Sequence, residues 1–127
     1  MARRRADKTR LHELEALRAE RFALMAQLEQ LPDDIVFFTQ ITMEAAEDTE
    51  FLDAMRRAHI RGALVGIEAV TPEGLKDVYK GFNLAGDELA ARLKQFRKHG
   101  VHVLGSFIFG LPSDKKDTFA ATVAMAE

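Results

Sequence analysis

The strongest constraint on the fold is a helix–glycine–strand unit that occurs twice along the chain. In the first copy, an amphipathic segment around Leu52 leads to Gly62 and an apolar run. In the second copy, a similar segment around Leu93 leads to Gly100 and another apolar run. Helical segments that alternate with short apolar runs predict parallel strands joined by right-handed crossovers. We therefore expect an α/β fold.

The flanking segments extend the same alternation in both directions. Apolar residues at three- and four-residue steps predict amphipathic helices, and β-branched or aromatic runs predict buried strands. The predicted strands lie over Ile35–Ile41, Ala63–Glu68 and Val101–Phe109. The predicted helices lie over Leu11–Leu31, from the N-cap Asp48 to the closing Gly62, from Thr71 to about Lys80, and from Asp87 to His99. A last helix is predicted to begin at the cap Asp114.

Three such strands form a curved half-sheet that cannot close on itself. We expect a partial (β/α) barrel with about three parallel strands, flanking helices and a preceding amphipathic helix. The 127 residues suffice for one core, so residues 1–127 are predicted to form a single domain, with residues 1–10 flexible. Both edges of such a sheet would be open to a partner, to a second copy, or to a further part of the chain.

Composition narrows the function classes. A net charge of −2 gives no general attraction to nucleic acid or to anionic membranes, so neither is an expected partner. No apolar run approaches the roughly 20 residues of a membrane span, and the N-terminus lacks the apolar core of a signal peptide, so we expect a cytoplasmic protein. The chain has no cysteine, which excludes a disulfide framework, a thiolate metal site and a cysteine nucleophile within it.

Candidate binding residues lie where the second and third predicted strands end. Glu68 ends one strand, and a carboxylate there can accept two hydrogen bonds from a vicinal diol such as ribose. Gly66 leaves room for a ligand beside it. The third strand ends in a turn at Gly110 that offers backbone donors, and Ile108 just before it could form an apolar wall for a flat ring. Parallel strands place such ends at a ligand crevice, which here would suit an adenosine-like molecule.

Four segments carry a resemblance to a known family. From Phe37 to about Phe119 the chain resembles the radical S-adenosylmethionine (SAM) superfamily, in particular the group with an upstream cobalamin-binding domain that includes oxidative cyclases acting on magnesium-protoporphyrin IX monomethyl ester. The four segments are Phe38-Thr39-Gln40-Ile41-Thr42, residues 48–55, Arg61 to Glu68 with its Val65-Gly66-Ile67-Glu68 end, and Gly105-Ser106-Phe107-Ile108-Phe109-Gly110-Leu111-Pro112-Ser113-Asp114.

The resemblance implies the C-terminal half of a (β/α)6 barrel and a set of SAM-binding residues. By this resemblance Glu68 contacts the ribose, and Lys80, twelve residues later, meets the carboxylate of SAM. The strand through Phe107, Ile108 and Phe109 flanks the adenine, with Gly110 at the turn. Thr39 and Gln40 face the cavity. No residue of the chain is predicted to be catalytic or to bind a metal.

The missing cysteines are the main departure from the family. In the family a Cys-x3-Cys-x2-Cys motif binds a [4Fe–4S] cluster, which cleaves SAM reductively to a 5′-deoxyadenosyl radical; this chain has no such ligands. We therefore expect it to be inactive alone and to need an N-terminal part of the parent barrel as its partner. The resemblance also brings in cobalamin as a cofactor of the parent.

Other interpretations stay open. The chain could be a non-enzymatic α/β module that forms homo-oligomers through open sheet edges or its leucine-rich first helix, which has heptad spacing apart from Arg21. It could also be part of a phosphate-binding (β/α)8 barrel.

The candidate site residues could also have purely structural roles. Glu68 could pair with an arginine or cap a helix, and Lys80 could complement a helix dipole. Ile108 and Phe109 could belong to the core.

Overall fold

A computed structural model describes residues 2–81 and 85–127, with side-chain environments from residue 6 onward. The elements are α1 (Ala2–Leu28), β1 (Phe37–Ile41), a 3-10 helix (Met43–Glu47), α2 (Thr49–Arg57), β2 (Ile60–Glu68), α3 (Pro72–Asp77), α4 (Gly86–Lys98), β3 (His102–Phe107) and α5 (Lys116–Ala126).

The three strands form one parallel sheet in the order β1-β2-β3. Its register aligns Gly62 of β2 with Phe38 of β1 and His102 of β3. Because β2 is central, β1 and β3 each have an outer edge that no other described strand pairs with. The predicted α/β fold with an open, partial parallel sheet and flanking helices is thus confirmed.

One face of the sheet is covered by helices. Ala63, Val65 and Ile67 alternate along β2 and are at most 3% exposed. The 3-10 helix, α2 and α4 pack against this face, and the buried side chains that they contribute include Met43, Leu52, Met55, Leu89 and Phe96. Since strand side chains alternate between faces, this set defines the covered face of the sheet.

The opposite face carries no helix within the described residues. Phe38 and Leu104 point to this open face and are 62% and 59% exposed. The Phe38 ring lies across Gly62, since a Cβ added there would come within 2.0 Å of a ring carbon. In a closed barrel, the face away from the helices is the interior.

The carboxyl-terminal half of α1 packs on α2. Phe22 meets Phe51 edge to face with ring centroids 5.9 Å apart, and Met25 is buried beside them. Arg18 forms an ion pair with Asp48 at 3.0 Å. None of the described helices is long and apolar enough to cross a membrane.

Two predicted helix starts are confirmed by their capping bonds. The Asp48 side chain accepts a hydrogen bond from the Phe51 N–H at 3.0 Å, and the Thr71 hydroxyl accepts one from the Gly74 N–H at 3.1 Å. Such bonds satisfy donors that have no partner inside the first helical turn.

Other boundaries differ from the prediction. Helix α1 begins at Ala2 rather than Leu11, while the flexibility expected for residues 1–10 stays a prediction. Helix α3 ends at Asp77, short of Lys80. Gly62 does not end α2, because His59 makes the left-handed turn there (φ 61°) and β2 has already begun at Ile60.

The prediction that Asp114 caps the last helix is wrong. Helix α5 begins one residue later, with Lys115 as its N-cap residue, and the Thr118 hydroxyl accepts a hydrogen bond from the Lys115 N–H at 2.9 Å. The third strand also ends at Phe107, so Ile108 and Phe109 lie beyond it. Asp114 bonds elsewhere, within the turn that follows the strand.

Candidate functional site

Glu68 ends the central strand in a conformation that is unusual for a residue with a side chain. Its φ is 70°, in the left-handed region, and the register with β3 shifts between Gly66 and Glu68. The Ile108 N–H donates to the Glu68 carbonyl at 2.8 Å, which fixes the distorted strand end against the neighbouring chain segment. A left-handed residue other than glycine costs about 1–2 kcal/mol, so the surrounding structure must hold this geometry.

The distortion folds the Glu68 carboxylate back over the open face. A Cβ added at Gly66 would lie 2.6 Å from Glu68 Oε1, so the carboxylate occupies the space that a side chain at Gly66 would fill. Glu68 is half-buried, and within the described part of the chain its carboxylate accepts no hydrogen bond. A carboxylate in this state can accept two hydrogen bonds from a diol at little cost.

Gln40 lies on the same open face, one strand away. Its register partner on β2 is Leu64, four residues before Glu68. The side chain of Gln40 is exposed. Gln40 also borders a groove of about 430 Å³ between α1 and the outer edge of β1, where Leu24 forms part of the opposite wall. It therefore reaches both the open face and the sheet edge. Thr39, predicted to face the cavity as well, aligns with Ala63 on the covered face.

Lys80 lies in the segment that follows α3. Its N–H donates to the Leu75 carbonyl at 2.8 Å, and its charge acts on Glu44 of the 3-10 helix. Partial burial raises the pKa of Glu44, but hydrogen bonds from its own backbone and Thr42, with the charges of Arg92 and Lys80, outweigh burial and lower the pKa. The charges of Lys80 and Arg92 thus both act on Glu44, an effect that the sequence did not reveal.

The end of β3 presents a partly exposed apolar surface. Ile108 is 41% exposed and Phe109 is 52% exposed. Phe109 stacks on Phe119 of α5, with ring centroids 5.4 Å apart and an angle of 24° between the planes. Phe107 packs against the core on the covered face, so the surface available to a ring at this edge comes from the two residues that follow it.

The turn after β3 has its own carboxylate. Both the Gly110 N–H and the Leu111 N–H donate to Asp114 Oδ2, at 2.8 and 3.0 Å. The expectation that these backbone donors are free for a ligand is therefore wrong. Gly110 has φ 86°, a conformation that suits glycine, and it allows the chain to turn tightly around the Asp114 oxygen.

Sequence reasoning also missed a link between this turn and α3. Asp77 Oδ2 accepts hydrogen bonds from both the N–H and the hydroxyl of Ser113, at 2.9 and 2.5 Å. The residues are 36 positions apart, and nothing in the local sequence of either one indicates the contact. The Asp114 contact is local, but the usual aspartate turn uses an N–H two residues ahead rather than three or four residues behind, so that pattern does not indicate it either.

Five of the six predicted site residues lie near the carboxyl ends of the strands. The open face holds Glu68 and Gln40 on adjacent strands, and the backbone joins Glu68 directly to Ile108. Phe109 and Gly110 follow on the same turn, whereas Lys80 follows α3 and its charge acts on Glu44. Across the described residues, no group of three or more histidine, aspartate or glutamate side chains could hold a metal ion.

Comparison with known proteins gives two distant relatives. The chain is 31% identical over 74 residues to an uncharacterized methyltransferase of Pyrococcus horikoshii. The aligned residues make up 58% of this chain and 16% of that protein. The chain is 30% identical over 79 residues to the hopanoid C-2 methylase of Rhodopseudomonas palustris, which covers 62% of this chain and 15% of the methylase. The matched part is thus about one sixth of either relative.

No protein-family model matches the chain, and no solved structure matches it. The similarity therefore consists of partial matches to two proteins whose names describe methyl transfer.

Proposed function

We propose that this chain supplies the ribose and adenine side of the SAM site in a radical SAM enzyme. The observation that carries the proposal is the Glu68 carboxylate, which lies half-buried at the carboxyl end of the central strand and accepts no hydrogen bond from any described residue. Two further observations support it: Gln40 shares the open face, and both relatives have names that describe methyl transfer.

Each candidate residue then has a defined task. Glu68 accepts hydrogen bonds from the ribose hydroxyls, and Gly66 leaves the space in which its carboxylate lies. Ile108 and Phe109 provide an apolar edge for the adenine, while Gly110 shapes the turn beside it. Lys80 provides the positive charge for the carboxylate of SAM, and Gln40 lines the cavity. These residues bind and orient SAM, and none of them takes part in bond cleavage.

The residues of this chain do not fit an iron–sulfur cluster. Such clusters are held by cysteine thiolates, and the sequence contains none. We therefore infer that the cluster ligands belong to another part of the enzyme, that this chain alone is inactive, and that cobalamin, if the parent uses it, is bound by an upstream domain. The N-terminal part of the barrel is then the principal partner of this chain.

The first test is the reading frame upstream of this chain. Cysteines at Cys-x3-Cys-x2-Cys spacing, one or two strand–helix units before α1, are expected. A complete natural gene without them would exclude the radical SAM assignment.

The second test measures binding of S-adenosylhomocysteine to the enzyme that contains both this chain and its cysteine-bearing part. Glu68→Gln keeps the size of the side chain and the backbone conformation, but an amide bonds ribose hydroxyls less strongly than a carboxylate does. We expect affinity to fall about tenfold, as for the loss of a charge-assisted hydrogen bond. Glu73→Gln removes a carboxylate from the exposed start of α3 and should bind as the parent does. Equal affinity for both variants would reject the ribose role of Glu68.

A second candidate function is assembly, and the surface of α1 favours it. Leu11, Leu14, Leu17 and Leu24 are each at least 50% exposed, which is unusual for leucines in one helix. Sedimentation equilibrium of the 127-residue chain tests this candidate. Concentration-dependent dimers that Leu14→Glu and Leu17→Glu abolish would support self-association through α1, whereas a monomer at all concentrations would reject it.

A further inference from the structure

Asp77 connects the two walls of the proposed SAM site. It is the last residue of α3, the helix that follows Glu68, and its Oδ2 atom accepts two hydrogen bonds from Ser113. Ser113 belongs to the turn that follows β3. A single carboxylate oxygen on the ribose side therefore holds the backbone and the side chain of a residue on the adenine side.

The surfaces of α3 and the turn are in direct contact near this link. A Cβ added at Gly74 would lie 2.7 Å from the Ala69 Cβ and 3.5 Å from Leu111 Cδ1. Gly74 is buried, and the close approach of α3 to Ala69, just after β2, requires that this position lack a side chain, while Leu111 of the turn lies at ordinary contact distance. The two Asp77 bonds join α3 to the turn at Ser113.

The turn itself is held by a separate carboxylate. Asp114 binds the N–H groups of Gly110 and Leu111, so the shape of the turn does not depend on Asp77. Asp77 instead governs where the whole turn is attached. A change at Asp77 should therefore shift a preformed turn rather than unfold it.

We propose that Asp77 is a positioning residue for the adenine of SAM, acting through Ser113 on the Ile108–Gly110 segment. This inference rests on the proposed function. Asp77 contacts no ligand, and its effect follows from preorganisation: a turn that is not attached to α3 must lose freedom when the ligand binds. The exposed edge of Ile108 and Phe109 would then meet the adenine in several orientations instead of one.

The test is the affinity of S-adenosylhomocysteine, measured by calorimetry on the enzyme with its cysteine-bearing part. Asp77→Ala removes both bonds to Ser113 and should weaken binding about tenfold, the usual scale for charge-assisted hydrogen bonds. Asp77→Asn keeps an oxygen that can accept from the Ser113 N–H and should restore most of the affinity. Ser113→Ala loses only the hydroxyl bond, so its affinity should lie between those of Asp77→Ala and Asp77→Asn.

Two controls separate positioning from general damage. Glu73→Gln, on the same helix but away from the turn, should bind as the unmodified enzyme does. Amide hydrogen exchange should speed up at Ser113 in Asp77→Ala, while Gly110 and Leu111 stay protected by Asp114.

The outcomes are distinguishable. If the unmodified enzyme binds S-adenosylhomocysteine but Asp77→Ala binds it equally well, the positioning role is overturned while the proposed function stands. An Asp77→Asn variant as weak as Asp77→Ala would also overturn it, since the retained oxygen acceptor would then have no effect. If the unmodified enzyme does not bind, the proposed function fails and the positioning role fails with it.

Discussion

The two faces of the sheet come from the same three strands but have different surroundings. On the covered face, Val65 and Ile67 are sealed by the 3-10 helix, α2 and α4. On the open face, Phe38, Leu104 and Glu68 have no such cover within the described residues. Alternate residues of one strand thus lie in a packed core or on an exposed surface, so the exposed side can vary without loss of the core.

The largest expected difference between the faces is the free energy of unfolding that is lost when a leucine on each face is truncated. Leu52 is fully buried against the covered face, whereas Leu104 on the open face is 59% exposed. Leu52→Ala should lower the free energy of unfolding by about 2–5 kcal/mol, because it removes apolar contacts and leaves a cavity. Leu104→Ala should cost less than about 1 kcal/mol. Urea denaturation of the two variants measures both values, and similar costs would mean that the open face is also packed.

A smaller difference in stability is expected when a strand glycine on each face is replaced by alanine. A Cβ at Gly105, on the covered face, would lie 2.7 Å from Ile67 Cδ1 in the core, so Gly105→Ala should cost about 1–3 kcal/mol through overpacking. At Gly62, on the open face, the neighbour is the exposed Phe38 ring, which can swing towards solvent. Gly62→Ala should therefore change stability by less than about 0.5 kcal/mol. Thermal unfolding of both variants tests this order, and a reversal would contradict the assignment of faces.

The smallest expected effect is the pH dependence of stability that comes from Glu44, an exposed residue of the 3-10 helix on the covered face. Its pKa is lowered from an ordinary value of 4.5, so the folded state favours the charged form. The stabilisation is complete above the unfolded pKa and is lost as pH falls through the lower folded value. Glu44→Gln should remove this part of the pH dependence and leave stability at pH 3 nearly unchanged. Denaturation at pH 3 and pH 7 measures it, and an unaltered pH slope would show that Glu44 makes no contribution.

The sequence predicted the strands and α-helices of the covered face, because their periodicities directly reflect burial on that side, but it did not indicate the 3-10 helix over Met43–Glu47. The caps at Asp48 and Thr71 were also predictable, since they depend on contacts three residues away. The site was predictable only as a set of strand ends. The left-handed Glu68 and the Asp77–Ser113 link depend on pairing between distant segments, which no local pattern encodes.

The failed predictions have the same physical origin. Asp114 resembles a helix cap in the sequence, yet the turn at Gly110 brings two N–H donors to its oxygen first. Gly62 resembles a helix end, yet His59 accepts the left-handed conformation and frees Gly62 to pass beneath the Phe38 ring. In both cases a different local arrangement, the turn at Gly110 or the left-handed residue His59, competes with the expected helix boundary and prevails.

The left-handed backbone at Glu68 has an evolutionary consequence. At φ 70° glycine has the lowest conformational cost and asparagine or aspartate come next, so the backbone disfavours glutamate there. A lineage that did not need the carboxylate would gain stability by drifting to glycine at this codon. Under the proposed function, the identity of this one residue in related genes would distinguish chains that bind the ligand from chains that keep only the fold.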